Sequence, residues 1–335
     1  MKTADATILH LLRSASQPLP LPELAQAAGL SPAELAGRMA GLEQAGFGIE
    51  LIPHLGYRLR ETPDRLIADD LAALLGPGDR RIGREIVVFE ETGSTNDVVA
   101  RMARDGAGEG LVVFAERQTG GRGRLGRAWA SAAHLGLWFS VLLRPRFPLT
   151  QWPRLTTWAA VAIARAIEKA LPGSRAAIKW PNDIYLRGRK AVGILIEGSG
   201  AGDERFAIVG IGVNVNHLED DFPPEVAARA GSLRTSLRGN APPDEPLPPL
   251  DRPAIAATLL DELDRLYPSL EERFPEILAE AEQRSLLLGK WVRATTPGGM
   301  VEGIAEGLES DGRLRLRGRE GQTLVFSGGE EVTLS

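Results

Sequence analysis

The stretch Glu116-Arg117-Gln118-Thr119-Gly120-Gly121-Arg122-Gly123-Arg124-Leu125-Gly126-Arg127-Ala128-Trp129 sets four arginines among four glycines and closes on a tryptophan. Glycine lets backbone N–H groups come close to an anion, and it tolerates positive φ. Arginine offers a planar fork of donors that matches carboxylate or phosphate. The combination reads as a loop able to close over a phosphate-bearing ligand. No acidic residue lies between Glu116 and Glu168, although the 335-residue chain carries a net charge of −5. Composition alone equally describes a solvated basic loop or a nucleic-acid patch.

The surroundings of the loop decide the fold. An apolar strand, Leu111 to Ala115, runs directly into it. Other strands are read at Glu85 to Glu90, Leu137 to Leu143, Ala177 to Trp180, Ile184 to Leu186, Val192 to Glu197 and Phe206 to Asn214. Only two helices interrupt them, one from Thr95 to Arg104 and an alanine-rich one from Leu155 to Leu171. Strands packed this closely in sequence argue for a largely antiparallel α+β domain. A glycine-rich loop in a parallel sheet would suggest a dinucleotide or P-loop site, but neither pattern occurs here in the right context.

Five motifs in order carry a resemblance. They are Ser94-Thr95-Asn96, the loop Gly121 to Trp129, Lys179-Trp180-Pro181-Asn182-Asp183, Lys190 to Glu197, and Gly210-Ile211-Gly212-Val213-Asn214-Val215-Asn216. The loop is similar to the GRGRxGRxW loop of biotin protein ligases, and nearly the whole chain resembles the bifunctional type that also represses a biotin operon. The resemblance implies an α+β protein of four parts. These are a winged helix-turn-helix (1–61), a linker helix (62–83), a mixed or antiparallel-sheet ligase domain (84–284) and a small SH3-like β-barrel (285–335). It implies ATP-dependent formation of biotinyl-5′-AMP and transfer of biotin to a lysine of a biotin carboxyl carrier protein, a subunit of acetyl-CoA carboxylase. Mg²⁺ would be held by the phosphates. A homodimer and operator DNA are further expected partners. A lipoate–protein ligase, or a ligand-sensing regulator without ligase activity, are the competing readings.

Residue roles follow from the same resemblance. Ser94, Thr95 and Asn96 would hold biotin's ureido head, with Gln118 at the pocket edge; Ser94 or Thr95 could also cap a helix. Arg122, Gly123 and Arg124 would close over the adenylate, with Arg127 beside them, and Trp129 would pack on the ligand or anchor the loop. Lys179 and Arg124 are the expected catalytic pair, Lys179 bridging carboxylate and α-phosphate or else forming a structural pair with Asp183. Lys190 would reach the same two groups, Asn182 would sit beside the nucleotide, and Asn214 would face ribose or the metal shell.

Composition bounds the rest. The chain has no cysteine, which excludes disulfides, thiolate zinc sites and a cysteine nucleophile. Its four histidines are scattered, so no resident metal cage is expected. No stretch reads as a secretory leader or a membrane span, so a cytoplasmic protein with no membrane partner is expected.

The flanks are equally legible. Helices are read at Thr7 to Ala15, Leu24 to Ala28 and, after the capping box Ser31-Pro32-Ala33-Glu34, to about Ala45, followed by a hairpin from Ile49 to Leu59. Residues 217–253 read as an irregular connection. A helix follows from Ala254 to Leu270, then a second past Pro275, and from Gly289 short strands alternate with glycine turns. The N-terminal 60 residues balance Lys2, Arg13, Arg38, Arg58 and Arg60 against Asp5, Glu23, Glu34, Glu43 and Glu50, a poor charge balance for a DNA-binding module.

Overall fold

The computed structural model describes residues 3–199, 205–238, 246–296, 299–327 and 331–334. The N-terminal unit consists of α1 (Ala4–Ser14), α2 (Leu21–Ala28), α3 (Pro32–Gln44) and the hairpin β1 (Gly48–Ile52) and β2 (Gly56–Glu61). Helix α1 starts a turn earlier than the apolar pattern suggests, because the Thr3 side chain accepts from the Ala6 N–H and caps it. Helix α2 likewise absorbs Pro22, which its first turn tolerates. The capping box of α3 forms as read, Ser31 and Glu34 each accepting from the other's backbone N–H. Ile8, Leu9, Leu12, Leu24, Leu35, Met39, Leu42 and Phe47 make the core of this unit.

Helix α4 (Ala68–Leu74) joins two cores. Its Ala73 belongs to the N-terminal core, whereas Leu71 and the following Leu75 belong to the central one. Asp70 on α4 is fully buried and accepts a bidentate pair from Arg13 of α1 at 2.7 and 2.9 Å.

The central unit runs β3 (Glu85–Thr92), α5 (Thr95–Arg104), β4 (Leu111–Gln118), β5 (Gly136–Leu143), α6 (Pro153–Ala170), β6 (Ala177–Lys179), β7 (Asp183–Leu186), β8 (Arg189–Ser199) and β9 (Phe206–Asn214). The sheet order is β3-β4-β5-β9-β8-β7-β6. Only β3 and β4 are parallel, with α5 as their crossover; the other pairs are antiparallel. The sheet is therefore largely antiparallel, as the spacing of strands predicts, with one parallel pair that makes it mixed. Two short helices, α7 (Pro224–Ala227) and α8 (Leu233–Ser236), break the connection expected to be irregular, and residues 239–245 of it lie outside the described residues. Helices α9 (Arg252–Leu266) and α10 (Phe274–Gln283) follow.

Strand alternation divides the sheet into two faces. Val112, Phe114, Phe139, Val141, Val192, Ile194, Val209, Ile211 and Val213 pack with α6 and α9. Leu111, Val113, Leu142 and Ile208 pack with Val98, Val99 and Ala103 of α5. Helix α5 covers only part of its face. Beyond its N-terminus the strands present Gly193, Gly210 and Gly212, and the absent side chains leave room for a cleft.

A buried ionic node ties the segment after β2 to the central unit. Arg252, at the start of α9 and fully buried, donates to Glu116 of β4 at 2.6 Å, to the Gly136 carbonyl at 3.2 Å and to the Asp64 carbonyl at 2.8 Å. Glu116 also accepts from the Leu66 N–H at 2.8 Å. Removing one partner of such a pair leaves a buried charge, at a cost of roughly 3–5 kcal/mol.

The C-terminal unit is an antiparallel sheet of β10 (Trp291–Thr296), β11 (Gly299–Leu308), β12 (Leu314–Gly318), β13 (Thr323–Phe326) and β14 (Glu331–Leu334), in the order β13-β12-β11-β10-β14. Its core of Val292, Ala294, Ala305, Leu314, Leu316, Phe326 and Val332 also takes in Trp180, whose Nε1 donates to the Gly312 carbonyl at 3.0 Å. Trp180 thus fastens the turn between β6 and β7 to the C-terminal sheet.

Candidate active site

The loop leaving β4 is a pinched hairpin. Gly123 N–H donates to the Arg127 carbonyl at 2.7 Å, and Trp129 N–H to the Gly121 carbonyl at 2.9 Å. Its tip turns through two left-handed residues, Leu125 (φ 58°) and Gly126 (φ 71°). A cleft of about 690 Å³ lies beneath it, over the glycine-bearing face of the sheet. Ser94, Thr95, Asn96, Gln118, Arg122, Gly123, Arg124, Arg127, Trp129, Lys179, Asn182, Lys190 and Asn214 all line this cleft. The structure brings together every residue singled out from sequence.

One end of the cleft is an uncharged polar row at the start of α5. Ser94 holds the N-cap position, yet its side chain makes no capping bond. Gln118 does that work from β4, its Oε1 accepting from the Thr95 N–H at 2.8 Å. Its Nε2 donates to Ser131 Oγ at 3.0 Å. Asn96 is buried and committed at both ends. Its Oδ1 accepts from Ser140 Oγ at 2.5 Å, and its Nδ2 donates to Glu197 Oε2 at 2.6 Å. A Cβ at Gly210 would meet Asn96 Oδ1 at 2.4 Å, so this glycine makes room for Asn96 itself.

The loop arginines are placed differently from one another. Arg122 lies between Asp97 and Glu197, donating to Asp97 at 2.6 and 2.9 Å and to Glu197 at 3.0 and 3.2 Å. The bonds to Asp97, then those to Glu197, push its pKa up, and Arg122 holds the Asp97 carboxyl below the usual range. Arg124 NH1 donates to Asn182 Oδ1 at 3.0 Å, and Asn182 Nδ2 in turn donates to the Ile194 carbonyl at 2.7 Å. Arg127 is exposed.

Trp129 lies flat on Gly193 and Gly212, which face each other across β8 and β9. The Lys190 ammonium sits 5.2 Å from the centre of its ring and 2.7 Å from Asp183 Oδ1. Lys190 thus pairs with Asp183 from the next strand. Lys179 stands 5.9 Å from the Tyr185 ring, whose hydroxyl pKa burial raises. Asn214 closes β9, and its Nδ2 donates to the Gly231 carbonyl at 3.0 Å.

Several side chains here escaped the sequence reading. Asp97 and Glu197 lie inside or beside quoted motifs but look like ordinary surface acids. Ser131 and Ser140 carry no local signal. His217 is buried against the cleft, stacked on Phe222 with ring centres 5.0 Å apart, and burial lowers its pKa to about 4. Only its place just after the last motif could have drawn notice.

Fold and cleft correspond to the Biotin/lipoate A/B protein ligase family, whose sequence model matches residues 88–214, while the biotin protein ligase C-terminal domain matches residues 287–330. The chain is 34% identical over 312 residues to the bifunctional ligase/repressor BirA of Bacillus spizizenii, over 92% of each chain. It is 36% identical to the biotin–acetyl-CoA-carboxylase ligase of Mycobacterium tuberculosis, over 83% of this chain and 98% of that one. The solved biotin protein ligase of Aquifex aeolicus in complex with biotin and ATP matches with a TM-score of 0.63 and 30% identity, over 75% of this chain and all of that one. The chain belongs to the biotin protein ligases.

Proposed function

We propose that the protein is an ATP-dependent biotin–protein ligase. Biotin's carboxylate attacks the α-phosphate of ATP, pyrophosphate leaves, and biotinyl-5′-AMP remains bound. A lysine amine of a biotin carboxyl carrier protein then attacks the acyl carbon and expels AMP. The observation that carries this reading is the make-up of one cleft. Thr95, Gln118 and Ser131, joined by hydrogen bonds beside Ser94, suit a neutral ureido head, and the same cleft is lined by Arg124, Arg127, Lys179 and Lys190. Those four cations suit a carboxylate and a phosphate that must approach each other, so their work is positioning and charge stabilisation. Trp129 and Asn214, which line the same cleft, would serve the nucleotide. Mg²⁺ would be held by the phosphate oxygens, since among the described residues no three His, Asp or Glu side chains form a cage.

The same reading assigns residues 1–61 to a winged helix-turn-helix, 62–83 to a linker, 84–284 to the catalytic domain and 285–335 to an SH3-like barrel. The three helices and hairpin, with the ligase/repressor name of the Bacillus relative, point toward a DNA-directed role, whereas the paired arginines of this unit point to weak DNA binding. A homodimer and a cytoplasmic location accompany it.

Mass spectrometry of a biotin carboxyl carrier domain, after incubation with the protein, ATP, Mg²⁺ and either biotin or lipoate, tests the reaction. One biotinyl group on one lysine is expected. Lipoyl transfer in preference to biotin, or no transfer at all, would refute it.

A further inference from the structure

A ring of polar contacts encloses the base of the loop. Ser131 Oγ donates to the Trp129 carbonyl at 3.3 Å and accepts from Gln118, which caps α5 through Thr95. Thr95 Oγ1 lies 2.6 Å from Ser140 Oγ, and Ser140 donates to Asn96. Asn96 donates to Glu197, and Glu197 accepts from Arg122. The backbone of Arg122 faces Ala128 across the hairpin, held by the bonds from Trp129 N–H to the Gly121 carbonyl and from Gly123 N–H to the Arg127 carbonyl, so the ring returns to its start. Both legs of the loop are thereby fastened to the polar row. Two carboxylates hold Arg122, Asp97 of α5 and Glu197 of β8, and Glu197 is the one that also accepts from the row itself: its Oε2 takes Asn96 at 2.6 Å and Arg122 at 3.0 Å.

We propose that Glu197 is a positioning residue that couples the polar row to closure of the Gly/Arg loop, and so governs how long the activated acyl-adenylate is retained. Glu197 touches no reacting atom; it acts through Arg122. A carboxylate is required because both neighbours are donors. A glutamine can accept from Asn96 through its carbonyl oxygen, but it then turns an NH₂ group toward the guanidinium, donor against donor. Asp97 holds the other side of the same guanidinium from α5, so loss of Glu197 loosens Arg122 without freeing it.

The inference rests on the ligase reading, and the test separates the two. The wild-type protein is first loaded with biotin, ATP and Mg²⁺, and release of radiolabelled biotinyl-AMP is followed by rapid filtration. No adenylate at all would defeat the ligase reading. Given adenylate, Glu197→Gln is expected to speed its release about tenfold, the scale of one lost charge-assisted hydrogen bond, while the KM for biotin moves less than about threefold because the Asn96 contact survives. A double-mutant cycle with Arg122→Met supplies a readout that mere structural damage would not give. The double variant should release adenylate no faster than Arg122→Met alone. Wild-type release from Glu197→Gln, or additive effects in the cycle, would overturn the proposal.

Discussion

Gly212 lies directly beneath the indole of Trp129: a Cβ built on it would come within 2.5 Å of the ring Nε1. Gly193, its partner across the ladder, would bring a Cβ to 2.7 Å of the same ring. Two facing glycines thus form the seat on which the loop rests. Gly212→Ala should unseat the loop rather than distort the sheet, since the exposed hairpin is the softer of the two. Displacement of about 1 Å at a reacting group can cost on the order of 10²-fold in rate. The expected outcome is a single-turnover adenylation rate lower by that order, with a thermal midpoint within a few degrees of wild type (~1 kcal/mol). Normal adenylation would mean that Trp129 tolerates the methyl group and the seat is not needed.

Lys179 and Lys190 both line the cleft, Lys190 in salt-bridge contact with Asp183 at 2.7 Å and Lys179 beside the Tyr185 ring. For Lys179→Ala we expect adenylation to slow by on the order of 10²–10³-fold, the usual cost of removing one preorganised charge stabiliser. Biotin affinity, measured by calorimetry without ATP, should change far less. A rate within a few fold of wild type would assign Lys179 a packing role.

His217 makes stability pH-dependent in a defined window. Burial lowers its pKa to about 4 in the folded state, against an ordinary value near 6.5. Between those values the unfolded chain binds the proton and the folded chain does not. Stability from this group is therefore complete above about pH 6.5 and is lost as pH falls toward 4, to a total of about 3 kcal/mol. Urea denaturation of wild type and His217→Gln at pH 7 and pH 4.5 checks this. The variant should lose less stability between the two pH values; an equal loss would show that His217 is not the group responsible.

The N-terminal unit should bind DNA weakly. Arg13 is committed to the buried Asp70, and Arg38 and Arg60 each lie against an acid, Asp5 and Glu50. The two exposed pairs can be re-deployed at little cost, but Arg13 cannot. Anisotropy with promoter DNA of biotin genes, in excess biotin and ATP, should give a Kd weaker than about 1 µM near physiological salt, in the non-specific range. Nanomolar binding with a steep salt slope would contradict this.

The sequence by itself determined most of the elements and the motif residues that line the cleft. Capping at Ser31, the apolar runs of β4, β5 and β9, and five ordered motifs are local signals. Each is written in a few consecutive residues, and the folded chain gathers all the motifs around one cleft. Tertiary structure alone decided which side chains meet. Glu116 and Arg252 pair from 136 residues apart, Asn96 and Glu197 from 101, and Arg122 and Glu197 from 75. Sequence could not say that Asp183 would take Lys190, which reaches it from the next strand. Nor could it say that Gln118, rather than Ser94, caps α5. Local periodicity fixes which face a side chain occupies; only the packing of strands and helices fixes its partner, and at this site the partners set the charge and position of each group.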